Sequence, residues 1–261
     1  DVNICVLGYD LKEDNTWISG LGAYGLPDTT KINHIQFLDN VLQVTLINKS
    51  VPLFIALGIV SDTAGKLQCY SNGVHVYNAD HFVMQNGENF QSSAQFPYGY
   101  PLTQSLIILP MPDTSGIYIL IDGVHKDVGT DVIIERLRYS FIDMQFNNGL
   151  GKVTQKKITL ENSTDTLNVG LLTAVRHGNG RDWWLLTTKY ESNIHRKYLI
   201  SPEGIYFHDD QAVGDTVYNG VGYAAFSPSG EWYARYFYYG QTSNLKTASY
   251  LYRFDRCTGQ D

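Results

Sequence analysis

Gly178-Asn179-Gly180-Arg181-Asp182-Trp183-Trp184-Leu185-Leu186 is a tight polar turn that closes on glycine and runs at once into a strand of aromatic and branched residues. The same order recurs three more times. Asp62-Thr63-Ala64-Gly65 precedes Lys66-Leu67-Gln68-Cys69-Tyr70, Asp113-Thr114-Ser115-Gly116 precedes Ile117-Tyr118-Ile119-Leu120, and Ser227-Pro228-Ser229-Gly230 precedes Glu231-Trp232-Tyr233-Ala234. Gly, Asn, Asp and Ser supply the backbone shapes of a sharp reversal, and aromatic and β-branched residues suit a pleated strand. The glycines at 65, 116, 180 and 230 are 51, 64 and 50 residues apart. A repeat of that length made of hairpins points to β-propeller blades.

Around Gly180, Leu172 to His177, Trp183 to Tyr190, Ile194 to Ser201 and Ile205 to Phe207 read as four consecutive strands joined by short turns, one blade. The preceding unit places Ser105 to Leu109, Ile117 to Ile121, Arg136 to Met144 and Lys152 to Leu160 in the same order; an earlier one has Phe54 to Val60, Lys66 to Tyr70 and Val74 to Tyr77. The last unit has Gly222 to Phe226, Glu231 to Tyr239 and Ser249 to Phe254 but no fourth strand before Asp261. The expected fold is therefore all-β: a β-propeller of four-stranded antiparallel blades around a channel, with about four blades visible and the ring not necessarily complete. Trp232 to Tyr239 carries large apolar groups at both odd and even positions, which predicts a strand covered on both faces. Residues 1–50 fit the repeat less well. Ile4 to Leu7, Ile35 to Leu38 and Val41 to Ile47 read as strands of an entry blade or of a ring closure.

Only 17% of the 261 residues are charged, while 19 are Tyr, 24 Gly and 3 Met, a balance that suits strands and turns over amphipathic helices. No linker divides the chain, so residues 1–261 read as a single domain, a fragment of a longer chain. A net charge of −7 without any Lys/Arg cluster argues against a nucleic-acid partner. The apolar run Leu106 to Met111 is far shorter than the roughly 20 residues a membrane span requires, so no membrane insertion is expected. Cys5, Cys69 and Cys257 lack the paired spacings of a zinc site or a disulfide framework. Cys69 reads as a small buried hydrophobe, and Cys5 could pair with Cys257 if the termini meet.

From about residue 60 onward the chain resembles secreted propeller-type modules of large surface and sorting-domain proteins of Bacteroidetes, adhesin-like proteins among them. The likeness is carried by Asp62-Thr63-Ala64-Gly65-Lys66-Leu67 with Tyr70-Ser71-Asn72-Gly73, by Met84-Gln85-Asn86-Gly87, by Leu137-Arg138-Tyr139-Ser140-Phe141-Ile142-Asp143-Met144, and above all by Thr173 to Trp184. The resemblance implies an exported or cell-surface module with no catalytic residues to carry over. Members continue past a segment like Phe254-Asp255-Arg256-Cys257-Thr258-Gly259 into further blades.

His177 and Asp182 flank the Gly178-Asn179-Gly180 turn, where a carboxylate could orient an imidazole for base catalysis. In a repeat hairpin the stronger reading is a structural polar pair that ties the turn together. Arg181 is a candidate ligand-binding residue for a carboxylate or phosphate, or a guanidinium stacked on a neighbouring ring. His75 and His81 lie too far apart along a strand to share a metal, and His208-Asp209-Asp210 reads as a solvated loop at a blade edge. No metal and no cofactor are expected. Phe96-Pro97-Tyr98-Gly99-Tyr100-Pro101 lies outside the blade pattern, which makes Tyr98 and Tyr100 candidates to stack on a sugar or a partner protein. The function read from these features is a non-catalytic secreted or cell-surface interaction module that binds protein or glycan through its blade loops. The rivals are an extracellular propeller-type glycosidase or lyase, using carboxylates such as Asp143, Asp182 and Asp209, and a structural spacer in a large adhesin.

Overall fold

The repeat glycines at 65, 116, 180 and 230 all adopt left-handed backbone, with φ of 81°, 75°, 74° and 72°. A side chain there would crowd the backbone, so the repeat needs glycine at each of these turns. The computed structural model describes residues 16–20, 31–38, 41–160, 165–217, 220–239 and 246–261. Apart from one 3-10 turn at Asn147–Gly149, the regular structure of these residues is strand.

Among the described residues seventeen strands form five antiparallel sheets in chain order. Sheet I holds β1 (Thr16–Ser19), β2 (Ile32–Leu38) and β3 (Val41–Ile47). Sheet II holds β4 (Gly58–Ser61), β5 (Leu67–Ser71) and β6 (Val76–Asn78). Sheet III holds β7 (Leu106–Pro110), β8 (Ile117–Val128), β9 (Asp131–Asp143) and β10 (Lys152–Thr159). Sheet IV holds β11 (Thr173–Arg176), β12 (Trp183–Thr188), β13 (Ser192–Ser201) and β14 (Gly204–Val217). Sheet V holds β15 (Gly220–Phe226), β16 (Trp232–Tyr239) and β17 (Lys246–Arg253). Among the described residues sheets III and IV have four strands and sheets II and V three, in agreement with the strands read from the sequence for those units, and residues 16–47 contribute a further three-stranded sheet. In sheets II to V the glycine turn joins the first strand to the second each time.

Because strand side chains alternate in direction, a sheet lying between two others must be apolar on both faces. Sheet III shows this. Ile108, Tyr118, Leu120 and Ile142 pack on Val60, Cys69 and Val76 of sheet II, while Ile119, Ile121 and Leu137 pack on Leu185, Tyr198 and Ile200 of sheet IV. In sheet IV the two adjacent tryptophans point opposite ways. Trp183 donates its indole N–H to Pro110 O of sheet III at 3.0 Å, and Trp184 donates to Arg256 O, in the turn after sheet V, at 2.8 Å. Trp184 and Leu186 then bury against Tyr233 and Phe237 of sheet V. Sheet I packs Ile18 and Ile32 on Leu67, Tyr70 and Tyr77 of sheet II, and Thr16 Oγ1 donates to the carbonyl of Gly65 at 2.7 Å.

Sheet V corrects the expectation that the strand Trp232–Tyr239 is covered on both faces. Tyr233, Arg235 and Phe237 are buried, while Trp232, Ala234 and Tyr236 on the other face are exposed. Among the described residues β17 pairs with β16 alone, leaving a sheet edge. The strand expected at Ile4 to Leu7 lies outside the described residues. Cys69 is a free, fully buried thiol whose pKa burial pushes up to about 12. Cys257 is disulfide-bonded, and its anticipated partner Cys5 lies outside the described residues.

Candidate functional site

Repeat turns at the same place in successive sheets emerge on the same side of the stack, and those of sheets II, III and IV converge. Between them lies a cleft of about 480 Å³ whose polar wall is Asp62, Gln68, Asp113, Arg176 and Arg181. Asp62 is committed to its own turn: Oδ1 accepts from the backbone N–H of Ala64 and Lys66 at 2.9 and 3.0 Å, and Oδ2 accepts from Gln68 Nε2 at 2.9 Å. Arg181 is exposed and bridges two sheets. It donates through Nε to Asp182 Oδ1 at 2.7 Å and through Nη1 to Asp113 Oδ2, across the cleft on sheet III, at 3.3 Å. It is Arg176, and not Arg181, that lies over the Trp183 ring, 3.8 Å from its centre. Arg176 also donates to Arg181 O at 2.7 Å, which fixes the arginine-bearing turn from below. Asp113, Asp62 and Arg176 were not singled out as candidates from the sequence. The signal that finds them is the repeated turn itself, since equivalent turns of stacked sheets must neighbour one another.

The His177 N–H donates to the Asp182 carbonyl at 2.8 Å, and the two side chains are linked through a third residue. His177 Nδ1 accepts from the Asn179 backbone N–H at 2.9 Å, and Asn179 Nδ2 donates to Asp182 Oδ2 at 2.8 Å. Asn179 Oδ1 takes the N–H groups of both Arg181 and Asp182 at 3.0 Å. Because Nδ1 of His177 is an acceptor here, it does not offer Asp182 the N–H that a base-orienting carboxylate requires. Burial favours the protonated acid of Asp182, but hydrogen bonds from Arg181 and Asn179 outweigh this and hold its pKa below the usual carboxylate range. Burial likewise keeps the His177 pKa low.

Tyr98 and Tyr100 part company. Tyr98 is exposed, whereas Tyr100 is 1% exposed and shares a hydrogen bond of 2.8 Å with His125 Nδ1, its ring edge-on to Phe96. Tyr100 anchors the β6–β7 loop: its N–H donates to Asn72 O and its C=O accepts from Ala56 N, both at 2.9 Å. The same loop reaches sheet V, where the Gln104 side chain donates to Ala224 O and accepts from Ala224 N, each at 2.7 Å.

The acidic pair after His208 is part of strand β14, not a solvated loop. Asp210 accepts two bonds from Arg196, at 2.8 and 2.7 Å, and Asp209 lies 3.2 Å from the buried Lys197 ammonium. His75 and His81 have separate partners, the Asn89 N–H and the Tyr70 hydroxyl. Among the described residues no group of three or more His, Cys, Asp or Glu side chains could hold a metal ion. Asp143, Asp182 and Asp209 do not line the cleft.

Fold and site together define an all-β protein of five stacked antiparallel sheets with a polar cleft at its repeat turns. Comparison with models of known families, with curated proteins and with solved structures yields no match. The resemblance to exported Bacteroidetes modules therefore rests on the residues alone.

Proposed function

We propose that the five sheets are blades of a β-propeller and that the protein is a non-catalytic, exported interaction module, binding protein or glycan on the side where its repeat turns emerge. Face-to-face stacking in chain order and a glycine turn at one fixed place in sheets II to V support the propeller arrangement. The disulfide at Cys257 supports export, because such bonds persist in oxidising compartments. The observation that carries the binding reading is the cleft between three sheets, walled by an exposed Arg181 already poised on Asp113. A guanidinium fork beside carboxylates and a glutamine amide offers both donors and acceptors, as hydroxyl- or carboxylate-bearing ligands require. Tyr98, on the neighbouring loop, adds an exposed aromatic face.

The test is a screen of immobilised glycans and extracellular proteins with wild-type protein, followed by titration of the strongest hit with Arg181→Ala, Asp113→Asn and Tyr98→Ala. Losing a charge-assisted contact of about 1.5–3 kcal/mol weakens binding roughly 10- to 100-fold, and Arg181→Ala is expected to fall in that range. Affinity unchanged by both cleft substitutions would place the site elsewhere. A glycosidase needs two carboxylates about 5–10 Å apart facing its substrate; turnover of any screened glycan that is lost in Asp113→Asn would favour the enzymatic rival.

A further inference from the structure

An asparagine followed by glycine can close its side chain onto the next backbone nitrogen, because glycine leaves that nitrogen uncrowded. The chain has five such pairs, and four of them, Asn72-Gly73, Asn86-Gly87, Asn148-Gly149 and Asn179-Gly180, lie among the described residues. Three of these are restrained. Asn72 is fully buried, its Oδ1 accepting from the Val74 and His75 N–H groups at 2.9 and 2.8 Å and its Nδ2 donating to Pro52 O at 2.7 Å. Asn179 holds the sheet IV turn through both Oδ1 and Nδ2. Asn86 Nδ2 donates to Val153 O at 2.8 Å, and Gly87 is packed so closely that a Cβ there would lie 2.8 Å from Val76 O.

Asn148 differs on each count. It stands exposed in the turn from β9 to β10, and its side chain makes no hydrogen bond to a described residue. A Cβ on Gly149 would meet nothing within 4 Å, so there is room for a ring to close. The amide nitrogens follow the same order. Gly87 and Gly180 donate to backbone carbonyls at 2.8 and 2.9 Å and Gly73 to Ser71 Oγ at 3.1 Å, whereas the Gly149 N–H reaches Phe146 O at 3.2 Å, the longest of the four. Asn147 supplies the side-chain bonds of this turn, donating to Gln85 Oε1 and to Gly151 O at 2.8 Å each, so the turn keeps its place without the Asn148 amide.

We propose that Asn148 is a site of spontaneous modification, at which the side-chain amide is lost through a succinimide. The Gly149 nitrogen bonds to Cγ of Asn148, the Cγ–Nδ2 bond breaks, and Nδ2 leaves as ammonia with the proton of the Gly149 amide. Water then opens the ring at either carbonyl, giving aspartate or isoaspartate at position 148. Both products add a negative charge, and isoaspartate also lengthens the main chain by a carbon atom. In an antiparallel sheet ordered β7-β8-β9-β10 the first and third turns lie at the same end, and here the Met144 N–H donates to Gly116 O at 2.9 Å between them. The new charge therefore appears on the side where the repeat turns emerge.

The experiment is incubation of the full 261-residue chain in mildly alkaline buffer, with peptide mass mapping at intervals and an isoaspartate-specific methyltransferase to detect the lengthened backbone. A second sample is kept unfolded in urea, where the same sequence has lost its restraints. In the folded protein Asn148 is expected to convert first, with Asn72, Asn86 and Asn179 slower by roughly tenfold or more, because their hydrogen bonds must open before the ring can close. In urea the four pairs are expected to convert at similar rates. An unchanged Asn148 in folded protein, over the time in which the unfolded chain is converted, overturns the proposal. Conversion of any of the other three as early as Asn148 overturns it too, as does the same lead for Asn148 in urea, which would assign the selectivity to sequence and not to the fold.

Discussion

Asn179 holds the sheet IV turn from three directions, taking two backbone N–H groups on Oδ1 and reaching Asp182 through Nδ2, while its own N–H is received by His177. Both Asn179→Ala and Asp182→Ala strip partners from groups that are largely out of solvent, since Asp182 is buried. Each is expected to lower unfolding free energy by about 1–3 kcal/mol, measured by denaturant titration. His177→Phe keeps the ring against Trp184, 5.2 Å away, and loses one acceptor, so its cost is expected to be smaller. A larger loss for His177→Phe than for Asp182→Ala would place the centre of the turn on the imidazole. At the same scale, Tyr100→Phe removes the bond to His125 and is expected to cost about 1 kcal/mol, read from the melting temperature.

The repeat turn is the element on which the fold depends, and its glycines are not equivalent. All have positive φ, which costs a non-glycine residue roughly 1–2 kcal/mol. At Gly116 a new Cβ would find its nearest neighbour at 3.9 Å, but at Gly230 it would lie 2.4 Å from Arg256 Cδ and 2.7 Å from Val175 Cγ2. Gly116→Ala is therefore expected to show the backbone cost alone. Gly230→Ala adds a clash of the sheet V turn with Arg256 and with Val175 of sheet IV, and thermal melts are expected to rank it clearly below Gly116→Ala. Equal melting temperatures would mean that Arg256 and Val175 yield without cost.

Across the whole molecule, sheets IV and V are joined by a buried polar cluster. The His195 Nδ1–H donates to Asp261 Oδ2 at 2.5 Å while Nε2 accepts from Arg235 Nη1 at 2.9 Å; Lys197 Nζ donates to Gly259 O at 2.6 Å and to Gln211 Oε1 at 2.5 Å. Burial lowers the His195 pKa below its ordinary 6.5, and the cations Arg235 and Lys197 act in the same sense against Asp261. Below pH 6.5 the unfolded chain then binds more protons at this site than the native one, so stability falls as pH drops from 6.5 toward the folded value. One proton changes stability by at most about 1.4 kcal/mol per pH unit. Melting temperatures at pH 7 and pH 5.5 are expected to fall further for wild type than for His195→Gln; identical drops would assign the acid sensitivity to other groups.

Glycine turns and strand order were legible in the sequence because each is local: a φ that only glycine adopts readily, or an alternation that a pleat imposes. The opposite pointing of Trp183 and Trp184 and the burial of Cys69 follow from the same periodicity. Tyr100, Asp209 and Asp210 were misplaced because a residue type in a loop-like stretch does not say whether the chain around it will be covered. Cover depends on which sheets meet. Only tertiary packing decided that one face of β16 stays open, that the side chains of His177 and Asp182 are linked through Asn179 and not to each other, and that Asp62, Asp113, Arg176 and Arg181 share a cleft. These positions lie on three separate repeats, and only the stacking of one sheet on the next brings their side chains within reach of one another.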